Sequence, residues 1–273
     1  MTSFFSSITA IFMSVISWFL SIFGINLYNN GLDDVNFDTV KEIVFSSEIV
    51  LDNVGTSSYN VLQGGCTDGK YAYYCSNNAY TNTCSISKYE LGTFEEVARA
   101  DGVAVDHGND ITYNKDKDCL VICHNSPNRT YVSYVDKKTL EIIETFEISL
   151  EIYSITYNEK TNRYAVGISY TFDFAILDEN FNLIERFTGV TPEKSKTKQG
   201  MDSDDKYLYF LLSGPNAISV YDWNGKHYGI FTINDEAGSY ESENIFHIND
   251  DLYIGYNHKN GKVYKTNIEA LYE

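Results

Sequence analysis

Gln63-Gly64-Gly65-Cys66-Thr67-Asp68-Gly69-Lys70-Tyr71 occurs a second time in the chain, as Gln199-Gly200-Met201-Asp202-Ser203-Asp204-Asp205-Lys206-Tyr207. From position 63 to position 199 the offset is 136 residues, or three steps of about 45. Related phrases stand near the intermediate steps: His107-Gly108-Asn109-Asp110-Ile111-Thr112-Tyr113-Asn114, and Tyr153-Ser154-Ile155-Thr156-Tyr157-Asn158. A last one begins at Glu243-Asn244. A period of roughly 40–50 residues built from short strands is the mark of a β-propeller.

Working outward, each phrase opens an inner strand and runs into a polar turn. The turns are Thr67-Asp68-Gly69-Lys70, residues 114–118, residues 158–162, Ser203-Asp204-Asp205-Lys206 and Asn249-Asp250-Asp251. Asp, Asn and Gly adopt turn conformations at little cost, so their recurrence marks hairpins. An apolar strand follows each turn, then a third strand ending in echoes such as Val135-Asp136, Leu177-Asp178 and Tyr221-Asp222. Four repeats carry a fourth, outer strand; the fifth ends at Glu273 without one. One spare strand, Glu42–Leu51, lies ahead of the first repeat, and pairing it with the last blade closes the ring and protects the edges.

The pattern Q-G-x-x-[TS]-D-x-K-Y, followed by an apolar strand and a Y-D or L-D hairpin, resembles the repeats of five-bladed propellers in Gram-positive bacteria and their phages. It is similar in fold to phage receptor-binding propellers. The resemblance covers about residues 42 to 273. It implies the fold, and for function a range that takes in lectins, glycosidases and phage adhesins.

The chain has 273 residues and a formal charge of −18, from 38 acidic against 20 basic side chains. Such a chain repels phosphate backbones, and no Lys/Arg cluster overrides the sign, so nucleic acid is excluded as a partner. The acidity serves solubility, or gives an acidic face that recruits cations or a basic partner. Tyr 23 and Phe 16 are high counts that suit a strand-rich fold. Cys66, Cys75, Cys84, Cys119 and Cys123 lack C-x-x-C spacing and read as buried free thiols, or as one disulfide in an oxidising compartment.

No charged side chain appears before Asp33, and Phe4 to Ile25 is long and apolar enough to span a bilayer. Without basic residues or an A-x-A-like site it is not a typical cleaved secretory signal. Ser3, Ser7, Ala10, Ser14, Ser17, Ser21 and Gly24 follow alternating steps of four and three, which on a helix form one stripe of small residues. Such a stripe lets helix backbones approach closely, either with copies of itself or with a partner helix. The expected organisation is a hydrophobic N-terminal α-helix over 1–30, a linker over 31–41 and an all-β five-bladed propeller over 42–273. The expected setting is a membrane, a cell surface or a large assembly such as a phage virion.

The first residues of the inner strands ring one mouth of the channel. The nominated ligand-binding set is Gln63, His107, Asn109, Tyr153, Gln199, Glu243 and Asn244, suited to a glycan or another polar surface. Gln63 and Gln199 recur with the repeat and equally suit hydrogen bonds that fix neighbouring blades. Carboxylates facing a cleft are what glycoside cleavage needs, so the alternative is a glycan-active hydrolase using Asp110, Asp202 and Glu243, tuned by His107 or His124. No G-x-S-x-G, H-E-x-x-H or phosphate-binding glycine loop accompanies them, and no cofactor is expected. Asp202-Ser203-Asp204-Asp205 lacks the Gly and distal Glu of a calcium loop and reads as a turn, so no metal site is nominated. The reading that follows is a non-enzymatic binding or display propeller.

Overall fold

Strands rich in Tyr, Val and Ile, punctuated by Asp, Asn and Gly, fold here into five four-stranded antiparallel sheets. The computed structural model describes residues 31–78, 80–192, 197–234 and 236–272. Strand β1 (Val40–Asp52) precedes blade 1, which comprises β2 (Val61–Thr67), β3 (Tyr71–Asn78), β4 (Thr83–Glu90) and β5 (Glu96–Val103). Blade 2 comprises β6 (Asp110–Asn114), β7 (Cys119–Cys123), β8 (Tyr131–Asp136) and β9 (Ile142–Glu147). Blade 3 comprises β10 (Ile152–Asn158), β11 (Arg163–Ile168), β12 (Phe174–Leu177) and β13 (Leu183–Phe187). Blade 4 comprises β14 (Thr197–Ser203), β15 (Tyr207–Ser213), β16 (Ala217–Asp222) and β17 (His227–Thr232). Blade 5 comprises β18 (Glu241–Ile248), β19 (Asp251–Asn257) and β20 (Lys262–Tyr272), with β1 as its outer strand.

The closure expected from Glu42–Leu51 is therefore observed. β1 pairs antiparallel with β20, from Val40 opposite Tyr272 to Asp52 opposite Lys262. The first described strand completes the last blade. Two-sided burial explains the central strands: Ala72 to Ser76, Cys119 to Cys123 and Leu208 to Ser213 are buried throughout, because sheets pack on both faces. Outer strands such as β13, with Leu183 to Arg186 exposed, meet water instead.

The expected pairing of this propeller with an N-terminal α-helix is corrected. Among the described residues there is no α-helix, only two 3-10 turns, Leu32–Asp34 and Glu236–Ser239. Residues 1–30, with the small-residue stripe, lie outside the described residues. No helix among the described residues is long and apolar enough to cross a membrane. Residues 32–37, expected within a linker, pack into the propeller: Leu32, Val35 and Phe37 are buried with blades 4 and 5. Phe37 meets the Tyr207 ring edge-on at 4.9 Å and the Phe231 ring at 5.7 Å. Burying such a side chain contributes roughly 1.5–3 kcal/mol.

Candidate functional site

The sheet registers align the inner strands level by level. Gly65 faces Tyr74, Ile111 faces Ile122, Ile155 faces Val166, Met201 faces Phe210 and Ile245 faces Ile254. Counting back two residues puts Gln63, Asn109, Tyr153, Gln199 and Glu243 at one level, where the inner strands start. In four blades this level coincides with a shift in register: after Leu62, Ile152, Lys198 and Ser242. Bulges re-aim side chains, here towards the axis.

His107 is thereby corrected as a member of the ring; Asn109 takes that place in blade 2. The sequence held the signal, since Asp110-Ile111-Thr112-Tyr113-Asn114 aligns with Ser154-Ile155-Thr156-Tyr157-Asn158 without gaps. His107 instead lies with its Nδ1 2.8 Å from Asn77 Nδ2, and burial pushes its imidazole below the usual range.

Hydrogen bonds link part of the ring. Tyr153 Oη donates to Gln199 Oε1 at 2.9 Å, and Gln199 Nε2 donates to Glu241 Oε1 at 3.1 Å. Asn109 Nδ2 donates to Tyr153 O at 2.9 Å, and Gln63 Nε2 donates to Leu62 O at 2.8 Å. Gln63, Asn109, Gln199 and Glu243 are all buried. Burial, with Glu241 beside it, pushes the Glu243 carboxyl well above the usual carboxylate range. These bonds link the ring from blade 2 to blade 5, while Gln63 bonds only within its own strand.

One level down the channel is plugged. Asp110 Oδ1 accepts from Ile111 N at 3.0 Å, while Oδ2 accepts from Ile155 N at 3.0 Å and Met201 N at 3.1 Å. One carboxylate thus joins three blades. Burial pushes it well above the ordinary range, and the three N–H donors pull the other way. Asn244, at the same level in blade 5, donates from Nδ2 to Gln63 O. Gly64 and Gly200 make the room: a Cβ on Gly64 would stand 2.6 Å from Asp110 Cα, and one on Gly200 3.2 Å from Asp110 Oδ1.

Where the inner strands end, the axis opens into a cavity of ≈ 630 Å³ to which all five blades contribute. Cys66, Thr112, Thr156, Asp202 and Phe246 share one level of its wall. Asp68, Glu159, Asp204 and Asp205 add carboxylates on the inner turns, against Lys115 and His247. Asp68 and Asp204 explain the repeated Asp-x-Lys-Tyr. Asp68 accepts from Lys70 N, Tyr71 N and Tyr73 Oη at 3.0, 2.8 and 3.0 Å, and Asp204 from Lys206 N, Tyr207 N and Tyr209 Oη at 2.5, 2.6 and 2.6 Å.

Between blades 4 and 5 the cavity wall holds an ion triple. His247 Nδ1 lies 2.5 Å from Asp202 Oδ2, and its Nε2 lies 3.1 Å from Asp33 Oδ1. Burial alone would push the imidazole down, but the two flanking carboxylates outweigh it and raise it to about 10. The three carboxylates of the hydrolase alternative are not brought to one cleft. Glu243, Asp110 and Asp202 occupy three levels of the axis, with Asp202 three residues beyond Glu243, or roughly 10 Å of strand rise. His124 is likewise engaged elsewhere, between Asp106 at 2.8 Å and Ser133 at 2.7 Å. All five cysteines are free and buried.

The fold and its axis define a β-propeller repeat protein. No family model matches the sequence, and no curated protein matches it. Solved structures resemble it in outline: the structure of U3-55K (TM-score 0.45, 9% identity, 77% of this chain and 61% of that one) and the crystal structure of RRP9 WD40 repeats (0.45, 9%, 84% and 62%). A third is the Kuenenia stuttgartiensis hydrazine synthase (0.45, 14%, 75% and 58%). The chain spans about three fifths of each of these chains.

Proposed function

We propose that this propeller is a non-enzymatic binding module, and that its ligand enters the cavity where the inner strands end. The observation that carries the reading is the ≈ 630 Å³ recess on the axis, lined from every blade and richer in carboxylates than in cations. Concave sites with a few placed polar groups are where ligands bind, and their sign of charge selects the partner. The ligand is a cationic group presented by a protein surface, such as a lysine or arginine side chain on a protruding loop. The ring at the opposite mouth then holds the blades together. The apolar stretch Phe4–Ile25 is the segment through which the protein attaches to a membrane or a large assembly.

Glu159 and Asp205 line the recess and are exposed, each paired with an exposed lysine, Lys115 and Lys160. Their replacement is not expected to disturb folding. A fluorescent lysine-rich peptide titrated into the full chain should bind saturably, and Glu159→Gln with Asp205→Asn should weaken it roughly ten-fold, or about 1.4 kcal/mol. Equal affinity in the double variant, or binding of neutral glycans in preference to the peptide, would overturn the assignment.

A further inference from the structure

Asp33, Asp204 and His247 come from three separate places in the chain: the 3-10 turn Leu32–Asp34, the inner hairpin turn of blade 4 and the inner strand of blade 5. Each offers one ligand-type atom, and these atoms lie within 4.8 Å of one another. We propose that they form a divalent-cation site of the zinc type, with His247 Nε2 and one oxygen from each aspartate as ligands.

Three features of the surroundings match what such a site needs. First, the donors are mixed: one imidazole nitrogen with two carboxylate oxygens suits Zn²⁺ better than the all-oxygen cage of Ca²⁺ or Mg²⁺. Second, the ligands are oriented from behind. Asp202 Oδ2 sits 2.5 Å from His247 Nδ1 and also accepts the His247 backbone N–H at 2.7 Å. With Nδ1–H held on Asp202, Nε2 faces the two aspartates, the carboxylate–histidine–metal arrangement that fixes ring and tautomer. Tyr209 Oη holds Asp204 Oδ2 in the same way at 2.6 Å. Third, the site has an open side. The Asp33 side chain is half exposed, and Asp204 and His247 also line the axial recess. Three protein ligands beside open solvent leave positions for water.

Charge balance gives the reason for an ion. Asp33, Asp202 and Asp204 bring three negative charges to one imidazole, with Lys206 the further cation acting on Asp33, and a single Nε2 proton lies on one line of contact. A divalent ion at the centre meets both carboxylates at once. Binding replaces that proton, which leaves to solvent as the ion enters. An ion there also joins the N-terminal segment to blades 4 and 5.

The test uses the full chain, stripped with chelator and titrated with Zn²⁺ by calorimetry, with Co²⁺ absorption as the second readout. One ion should bind per chain, with a rise in unfolding temperature that saturates. Asp33→Asn and Asp204→Asn should each weaken Zn²⁺ at least ten-fold and alter the Co²⁺ spectrum, while His227→Gln should leave both unchanged. Asp33 lies on a half-exposed turn, so Asp33→Asn remains informative if Asp204→Asn fails to fold. Absence of binding to the wild-type chain at ~1 mM Zn²⁺, or binding that survives Asp33→Asn, would overturn the site.

Discussion

The axis of this propeller is decided by which residues lack a side chain. Gly64 and Gly200 stand at the level of Asp110 and Asn244, and the glycines are what allow those two to lie there. At Gly64 a Cβ would meet Asp110 Cα at 2.6 Å and Ile111 N at 2.6 Å. Those are backbone atoms of a neighbouring inner strand, so no rotamer change relieves the clash. Gly64→Ala should therefore cost about 3 kcal/mol, read as a lower urea midpoint, because the two blades must separate and Asp110 must loosen its bonds to Ile155 and Met201. A midpoint equal to wild type would show that the strands have slack at the axis. The repeated Gln-Gly is thus a packing device, as the Asp-x-Lys-Tyr that follows it is a turn device. The same split separates what could be read from the residues and what could not. A repeat announces a need common to all blades, whereas the ion triple of Asp33, Asp202 and His247 has no echo and assembles only when the ring closes.

At the scale of elements, ring closure rests on β1, whose pairing with β20 brings the two ends of the domain together. That pairing was legible because the strand count was uneven: the fifth repeat lacked an outer strand and Glu42–Leu51 was left over. The segment just before it was not legible. Leu32, Val35 and Phe37 are scattered among Asn, Asp and Gly with neither a two- nor a 3.6-residue period, and their burial depends on a groove formed by Tyr207, Tyr228 and Phe231 far along the chain. Closure also makes a clear prediction. Ser47 and Thr266 face each other across β1 and β20, with their hydroxyls 2.9 Å apart. Ser47→Cys with Thr266→Cys should form a disulfide enclosing nearly the whole ring, since the positions are 219 residues apart. In the chain-entropy account such a loop contributes about 5.4 kcal/mol. The oxidised variant should melt well above its reduced form. Equal melting would mean that the bridge strains the β1–β20 pairing by as much as it restricts the unfolded chain.

For the whole molecule, the formal charge of −18 acts on two properties with opposite signs. Like charges spread over one domain repel and weaken the folded state, so screening them should stabilise it. If the carboxylates of the axial recess take the cationic partner proposed above, screening should weaken that association. Raising salt from ~0.01 M to ~0.15 M shortens the Debye length from about 30 Å to about 8 Å. Over that range the unfolding temperature should rise by a few degrees, at about 2–4 °C per kcal/mol for a domain of this size. The affinity for a lysine-rich peptide should fall over the same range. The surface ion pairs, such as Lys115 with Glu159 and Lys226 with Asp38, work against the first effect because salt screens attraction as well. They are exposed and individually worth little, so the net repulsion should win. A melting temperature that fell with salt would reverse that ranking and give the surface pairs the larger share of stability. Peptide affinity indifferent to salt would remove charge as the basis of recognition, even with the recess occupied. Measuring both in one salt series separates the two contributions, because no single change in folded population moves melting up and binding down together.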